Sequence, residues 1–263
     1  MSAPRAENAI TNQPLVRIET HDAVTVILLS RVDKRNAMTP TMLDELLSAI
    51  DHATTANPCR ALILSGDGPI FCGGFDLKLC HQTPGTLKQL LTKLASCIQR
   101  LRSLDIPVII AAQGGAIAGA AALLSACDFA LSNREATIGY PVVPLGISPA
   151  VSAPTLSQRV GKGGARRLQL DPGLITGEEA ARLGLIDICC DIREDVLPRA
   201  QRLARELISK PAHAYAATKL LLRELEELSG SAWSEEGLNA SLKLADNPDQ
   251  QTRLGAIWNK PKS

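Results

Sequence analysis

The chain has 263 residues, enough for one large α/β domain with or without a helical appendage. Of these residues 45% are hydrophobic and only 3% are aromatic, so alanine and branched aliphatic residues must fill the core. The formal net charge is +1, which argues against the broad charged surface that nucleic-acid or membrane binding requires. No apolar run reaches the roughly 18 residues of a membrane span, and we expect a cytoplasmic protein.

The first part of the chain is predicted to alternate strands and helices. Residues 1–14 have no apolar core of signal-peptide length and are predicted to form a flexible tail. Residues 15–29 contain two segments rich in β-branched residues around a turn, which predicts a hairpin. Thr39 and Pro40 are typical of an N-cap followed by a first helical residue. ALILSG at 61–66 predicts a buried strand that runs into a glycine-rich loop.

A second series of elements follows. Leucine and isoleucine recur at helical spacing over residues 86–104. PVIIAA at 107–112 predicts another buried strand, and GGAIAGAAALL at 114–124 predicts a glycine turn that opens a helix of very small residues. DFAL at 128–131 and ATIG at 136–139 predict two short strands.

The last part is predicted to be mainly helical. Thr176 and Glu179 form a capping-box pattern at the start of a helix, and LIDICC at 185–190 predicts the last strand. Strands that alternate with helices indicate a largely parallel sheet covered on both faces. We therefore assign residues 15–194 to an α/β core and residues 195–263 to a helical region, which packs on the core or on a neighbouring subunit.

Motifs for metals and for nucleotide phosphates are incomplete. The seven cysteines include no CxxC pair and no zinc-type spacing, which favours reduced thiols. GGAIAG at 114–119 lacks the spacing of a dinucleotide fingerprint, and GKGG at 161–164 lacks the flanking residues of a P-loop. The four histidines are scattered along the chain. We expect no metal and no resident cofactor.

Two segments share the order strand, glycine-rich loop and helix. They are SGDGPIFCGGFDLK at 65–78, whose helix is predicted to start near Phe75, and IPVIIAAQGGAIAGAAALLSACD at 106–128. Each would place free backbone N–H groups at a helix N-terminus, and two such ends that face each other make a two-donor oxyanion hole. Small residues such as Gly73 and Gly74 would let a ligand approach the backbone. The alternative is that both loops are ordinary turns.

Motifs along the whole chain add a family resemblance. RVDKRNAMTPTMLDEL is similar to P-x-x-x-N-A-L, GPIFCGGFDLK to F-x-A-G-x-D-h-K, PVIIAAQGGAIAGAAALLSACDFAL to P-h-h-A-h-x-G-x-h-x-G-G-G-x-x-L-x-x-x-C-D, IGYPVVPLGISPA to F-x-x-P-E-h-x-h-G-h-h-P, and LITGEEAARLGLID to L-T-G-x-x-h-x-A-x-x-A-x-x-x-G-L-h-D, where h is a hydrophobic residue. In this order they resemble the enoyl-CoA hydratase/isomerase (crotonase) superfamily over roughly residues 15–225.

The resemblance implies a fold, a ligand and an assembly. The fold is the crotonase (ClpP-like) spiral of ββα units, followed by a C-terminal helical trimerisation region. The ligand is an acyl-CoA thioester of the kind used in fatty acid metabolism, with CoA as part of the substrate and not as a cofactor. The assembly is a homotrimer or a dimer of trimers, with no nucleic-acid and no membrane partner.

The resemblance also implies site residues. The thioester carbonyl lies between the backbone N–H groups of Phe75 and Gly119. CoA lies along the segment 72–78, and Lys34, Arg35 and Lys78 are the candidates for contacts with its phosphates. The full set of candidate CoA-binding residues is Lys34, Arg35, Cys72, Gly73, Gly74, Asp76 and Lys78. Lys260 and Lys262 could reach the nucleotide of a neighbour. For each lysine, a plain surface charge is an equal alternative.

The chain departs from the family at its acid–base positions. Hydratases hold a water between two glutamates, which correspond here to Ala122 and Val142. Each general acid or base contributes roughly 100- to 10,000-fold, so we expect no standard hydratase activity. Isomerases keep an acid at the second position, and Val142 counts against them too. No Asp or Glu lies between Thr137 and Asp171 to replace it.

Few other polar groups are expected near the ligand. Tyr140 could donate a proton, although a tyrosine before a proline is also typical of packing. Ser148 and Gln113 are weaker candidates. Asp76 could face the ligand, although capping of the following helix is its more usual role.

Three functions stay open at this level. The first is an enzyme that uses the oxyanion hole alone, and decarboxylation of a malonyl-type thioester fits best because the departing CO₂ generates the enolate without a base. A lyase or isomerase that takes an acid from another segment belongs to the same class. The second is an acyl-CoA carrier or sensor without turnover. The third is a structural subunit of a mixed oligomer, which an intact oxyanion loop disfavours.

Overall fold

A computed structural model describes residues 14–55, 59–171, 173–228, 233–245 and 248–258. The predicted tail lies outside these residues except for Pro14, and so do Lys260 and Lys262. The strands are β1 (Val16–His21), β2 (Val24–Leu29), β3 (Ala61–Gly66), β4 (Val108–Ala112), β5 (Gly115–Ile117), β6 (Phe129–Asn133), β7 (Thr137–Gly139), β8 (Leu174–Thr176) and β9 (Ile188–Cys190).

The helices follow the same chain order. They are α1 (Pro40–Thr55), α2 (Leu77–Gln82), α3 (Thr86–Ser103), α4 (Gly119–Leu124), α5 (Ala153–Leu170), α6 (Gly177–Arg182), α7 (Val196–Ile208), α8 (Ala212–Leu228), α9 (Trp233–Leu244) and α10 (Pro248–Trp258). Short 3-10 helices cover Val32–Lys34, Val143–Leu145, Ala150–Ser152 and Arg193–Asp195.

The larger sheet has six strands in the order β1-β2-β3-β4-β6-β9. Every neighbouring pair is parallel except β1 and β2, which form the predicted hairpin. Asp22 and Ala23, at the turn of the hairpin, have φ values of 49° and 64°. Two successive residues with positive φ make the tight turn that suits the twist of the strands. The predicted, largely parallel sheet is confirmed.

A smaller sheet has three strands in the order β5-β7-β8. The chain passes from β4 in the larger sheet to β5 in the smaller one and then into α4. It repeats that path from β6 to β7 and then towards α5. These successive strand–strand–helix units are the predicted spiral of ββα units.

Helices cover both faces of the larger sheet, as predicted. On one face, the apolar residues of α7 pack against alternate residues of β2, β3 and β4. On the other face, α1, α3 and α4 bury most of the core. The first helix after residue 194 therefore packs on the core. The oligomerisation role of residues 195–263 stays a prediction. Within the described segments, no helix is both long and apolar enough to cross a membrane.

Local start signals were correct where a side chain caps a helix. Thr39 Oγ1 accepts a hydrogen bond from the Met42 N–H at 3.1 Å, at the predicted start of α1. Thr176 and Glu179 form the predicted capping box of α6. Segments of glycine and alanine suit more than one secondary structure, and the differences between predicted and observed elements include such a segment near the candidate site.

Several predicted boundaries were wrong. Residues 115–117 form the strand β5 and are not helical, because the backbone of Gly115 lies so close to β7 that a Cβ there would be 2.7 Å from the Thr137 carbonyl oxygen. The helix expected near Phe75 begins at Leu77. Only residues 188–190 of the expected last strand pair with β6, and β8 was not predicted.

Candidate active site

Asn36 organises the loop that leads to the site. Its side chain is fully buried, and its amide nitrogen donates to the carbonyl oxygens of Asp67, Ile70 and Phe71 at 2.9–3.0 Å. Its side-chain oxygen accepts a hydrogen bond from the Arg31 N–H at 2.8 Å. Asn36 has φ 53°, a region that asparagine tolerates better than most residues. One side chain therefore ties two turns together across the edge of the sheet.

Replacement of Asn36 tests this role. We expect Asn36→Ala to lower the free energy of unfolding by about 2–3 kcal/mol, because one buried and two partly buried carbonyl groups lose their donor and alanine is strained at positive φ. Urea denaturation followed by circular dichroism measures the change. Asp33→Ala, an exposed substitution in the adjacent turn, is the control and should change the free energy by less than about 0.5 kcal/mol. Equal stability of the two variants would contradict the assigned role.

The backbone of the following loop is held so that one amide stays free. The Met38 N–H donates to the Gly74 carbonyl at 2.7 Å, and the Asp76 N–H donates to the Met38 carbonyl at 2.9 Å. Met38 therefore pairs with Phe75 as in a parallel ladder. In extended backbone the N–H groups of successive residues point in opposite directions. The Asp76 N–H points toward Met38, so the Phe75 N–H points away from it.

The second loop presents another amide. The Ala118 N–H donates to the Gly139 carbonyl at 2.7 Å, which links the end of β5 to the end of β7. Ala118 has φ 53° and ψ −109°, a backbone conformation that costs energy for a residue with a Cβ. Gly119 follows as the first residue of α4, where an N–H has no partner within its own helix.

The two free amides belong to segments in direct contact. A Cβ added at Gly119 would lie 2.9 Å from Phe75 Cε1, and one added at Gly74 would lie 3.0 Å from the Ile117 carbonyl oxygen. In the part of the chain that the structure describes, neither the Phe75 N–H nor the Gly119 N–H donates to another group. The geometry can therefore offer two backbone donors to one ligand oxygen.

A cavity opens beside these amides. It encloses about 590 Å³ of space, part of which is open to solvent. Among the described residues, its lining contains no Asp, Glu, His, Lys or Arg. The lining consists of Gly73, Gly74, Phe75, Leu77, Leu91, Leu94, Ile117, Ala118, Gly119, Ala122, Tyr140, Pro141, Val142, Leu145, Ile147, Ser148, Pro149, Val151 and Ser152. The positions of Ala122 and Val142 thus face the same space as the free amides.

Tyr140 is the largest polar side chain of the lining. It is 1% exposed, and burial raises the pKa of its hydroxyl well above the ordinary value. Ser152 Oγ donates to the Tyr140 hydroxyl at 3.4 Å, and Gln169 Nε2 lies 3.4 Å from Ser152 Oγ. Tyr140 therefore stays neutral and can offer a hydrogen bond to the cavity.

Asp76 lies outside the lining. Its carboxylate caps α2 by accepting from the Leu79 N–H at 3.1 Å, and it pairs with Arg31 at 2.7 Å. Burial pushes the pKa of Asp76 upward, but the hydrogen bonds from Arg31 and Leu79 and the charge of Arg31 outweigh it, so the pKa is lowered. The capping interpretation of Asp76 is confirmed. Gln113 is likewise tied to Ser65 and Gly66, away from the cavity.

The candidate CoA residues occupy different environments. Lys34, Arg35 and Lys78 are exposed. Arg35 runs beside the loop, because its Nε would be 4.0 Å from a Cβ at Gly73. Cys72 is fully buried, and burial raises the pKa of its thiol to about 12, so the thiol stays protonated.

The structure brings together residues that sequence patterns did not connect. The helical period of α3 predicted a buried face, but not that Leu91 and Leu94 line a ligand cavity. Ser152 and Gln169 carried no recognisable signal, because each acts through single hydrogen bonds to groups that no sequence pattern connects to it. In the described ranges, no three His, Cys, Asp or Glu side chains converge as a metal site, and no disulfide joins two of the cysteines there.

Comparisons with known proteins agree with this architecture. A family model described as Enoyl-CoA hydratase/isomerase matches residues 19–250. A Thermus thermophilus protein whose name places it among the enoyl-CoA hydratases is 31% identical over 77% of this chain and 81% of its own length. A crotonyl-CoA hydratase of Syntrophomonas wolfei is 28% identical over 79% and 80%, respectively.

A solved structure shows the same fold. The enoyl-CoA hydratase/isomerase from Xanthobacter autotrophicus Py2 superposes with a TM-score of 0.85 at 27% identity, over 94% of this chain and 93% of that chain. The predicted crotonase-type fold is therefore confirmed.

Proposed function

Because this chain belongs to the enoyl-CoA hydratase/isomerase family, we propose that it processes an acyl-CoA thioester through a two-amide oxyanion hole and does not add water to it. The observation that carries this proposal is the lining of the cavity. Ala122 and Val142 stand beside the free amides, and no described carboxylate lines the same space.

The thioester is proposed to bind by its carbonyl oxygen. The N–H groups of Phe75 and Gly119 donate to that oxygen, and the acyl chain lies against the apolar lining. CoA follows the loop 72–78, with Arg35 near the mouth and Lys34 and Lys78 available for phosphates. Preorganised donors, which already point at the oxygen before the reaction begins, stabilise a developing enolate by roughly 3–4 kcal/mol each.

Decarboxylation of a malonyl-type thioester is the reaction that needs least from this site. The bond between the α-carbon and the carboxylate breaks, CO₂ leaves, and the electron pair moves to the thioester oxygen to form an enolate. The Tyr140 hydroxyl then gives its proton to the α-carbon and is reprotonated from solvent. The apolar lining favours the step because its described residues offer no cation to hold the substrate carboxylate.

A binding protein without turnover is the second candidate. The same observation supports it, because a buried carboxylate costs free energy and has no benefit once catalysis is lost. In that case the free amides would hold the thioester only in its ground state. The two candidates differ in turnover and not in ligand class.

A homotrimer or a dimer of trimers is part of the proposal. Helix α8 supports it, because Leu220, Leu221, Leu222 and Leu225 are 42–56% exposed along this helix. Leucines of this kind on one exposed helix suit a subunit contact, and light scattering would give the number of subunits directly.

Incubation with methylmalonyl-CoA tests the function. We expect propionyl-CoA and CO₂ to appear, and mass spectrometry of the thioester measures the conversion. We expect Tyr140→Phe to slow the reaction, because the ring remains while the proton donor is lost. Calorimetric titration with propionyl-CoA on the same sample checks binding independently. Binding without decarboxylation would favour the carrier, and failure to bind either thioester would refute the proposal.

A further inference from the structure

One wall of the cavity is held in place from outside. Residues 147–152, called here the 147–152 wall, supply most of one side of the lining. The Val151 N–H donates to Ser241 Oγ at 3.1 Å, and Ser241 Oγ donates to the Ser148 carbonyl at 3.1 Å. Gln169 Nε2 donates to the Pro149 carbonyl at 3.1 Å. Side chains far away in sequence therefore add hydrogen bonds to those that the wall makes within itself.

Helix α9 lies directly behind this wall. Ser241, on α9, is only 1% exposed. A Cβ added at Gly237, one turn earlier, would lie 2.4 Å from the Ala150 carbonyl oxygen, so the helix backbone touches the wall. Leu238 and Leu242 of the same helix pack against the main core. The position of the wall is therefore coupled to the position of α9.

We infer that Ser241 is a positioning residue that fixes the 147–152 wall and thereby limits the length of the acyl chain that the cavity accepts. This inference rests on the proposed function, because it concerns the same cavity. Ser241 uses its single hydroxyl as donor and acceptor at once. No other described side chain holds the Val151 N–H or the Ser148 carbonyl.

Loss of this hydroxyl has a definite consequence for the wall. The buried Val151 N–H and the partly buried Ser148 carbonyl would lose their partner, which is costly enough for the segment to move toward another partner. The side chains of Ile147 and Val151 line the cavity on this segment, so the acyl space changes with it. The effect should therefore depend on acyl length and not only on overall stability.

Affinity for two saturated thioesters tests the inference. Butyryl-CoA and octanoyl-CoA are titrated by calorimetry into the full chain and into Ser241→Ala. Each additional buried methylene is worth about fourfold in affinity, so admission of two more methylenes should raise the octanoyl-to-butyryl affinity ratio at least about tenfold in the variant. Ser241→Thr keeps the hydroxyl and should retain the ratio of the unmodified chain. Asn239→Ala, exposed on the same helix, is the matched control.

The outcomes separate the inference from the proposed function. If the unmodified chain binds thioesters and Ser241→Ala keeps the same ratio, the inference is overturned while the function stands. If no form binds a thioester, the proposed function fails and the inference falls with it. Should Ser241→Ala unfold, Ser241→Cys fills the same space but is only a weak donor and acceptor, and it must raise the ratio, or the inference is overturned.

Discussion

Crotonyl-CoA is expected to bind this protein and to remain unhydrated. Hydration requires one group to activate water and another to protonate the α-carbon, and each such group contributes roughly 100- to 10,000-fold. By the resemblance of its motifs, the chain holds Ala122 and Val142 where the family's hydratases have glutamates. These two residues are 1% and 8% exposed and line the cavity. We therefore expect a hydration rate at least about 10,000-fold below that of a glutamate-bearing hydratase of the family.

Loss of enoyl absorbance measures this rate, and calorimetry with the same sample measures binding. A glutamate-bearing hydratase assayed in parallel shows that the substrate and conditions are adequate. Binding without hydration is the expected result. Hydration at an ordinary enzymatic rate would mean that a carboxylate from another segment, or from a neighbouring subunit, reaches the cavity, and the proposed chemistry would then be wrong.

Removal of one oxyanion donor should have the next largest effect. Two substitutions at Gly119 can be compared. A Cβ there would meet Met38 Cε and Phe75 Cε1 at 2.9 Å, and these atoms are at the ends of side chains that can shift. Gly119→Ala adds the carbon and keeps the N–H. Gly119→Pro adds carbon at the same place and also replaces the N–H by the ring methylene Cδ, and proline is tolerated at the first position of a helix.

We expect Gly119→Pro to lower the turnover number for methylmalonyl-CoA at least about 100- to 1,000-fold below that of Gly119→Ala, because proline replaces the N–H by a ring methylene that cannot donate and that lies where the donor hydrogen was. Steady-state kinetics measure the ratio, and circular dichroism and thermal unfolding confirm that both variants fold. Similar turnover numbers for the two variants would exclude the Gly119 N–H as an oxyanion donor. A common loss in both, relative to the unmodified chain, would report the steric change alone.

Much of the architecture could be predicted from local patterns. The β-branched segments of the hairpin, the N-cap at Thr39 and the capping box at Thr176 act over a few residues, and the structure shows all of them. The order of motifs placed Ala122 and Val142 in the ligand site, and both line the cavity. The small residues before α4 were ambiguous, because glycine and alanine suit a turn, a helix start or a closely paired strand.

What the sequence by itself determined is the type of fold, the two loops that carry the free amides, and the absence of acids at two known positions. The type of fold and the two acid positions follow from motifs whose order resembles the family. The strands, helix starts and glycine-rich loops follow from periodicity, capping and residue size, which depend on near neighbours along the chain. Only the tertiary structure decided that residues 115–117 pair with β7, that Asp76 binds Arg31, and that Ser241 holds the cavity wall. Those outcomes depend on buried polar groups finding partners far away in sequence, and a single hydroxyl or amide leaves no periodic pattern that would reveal its partner.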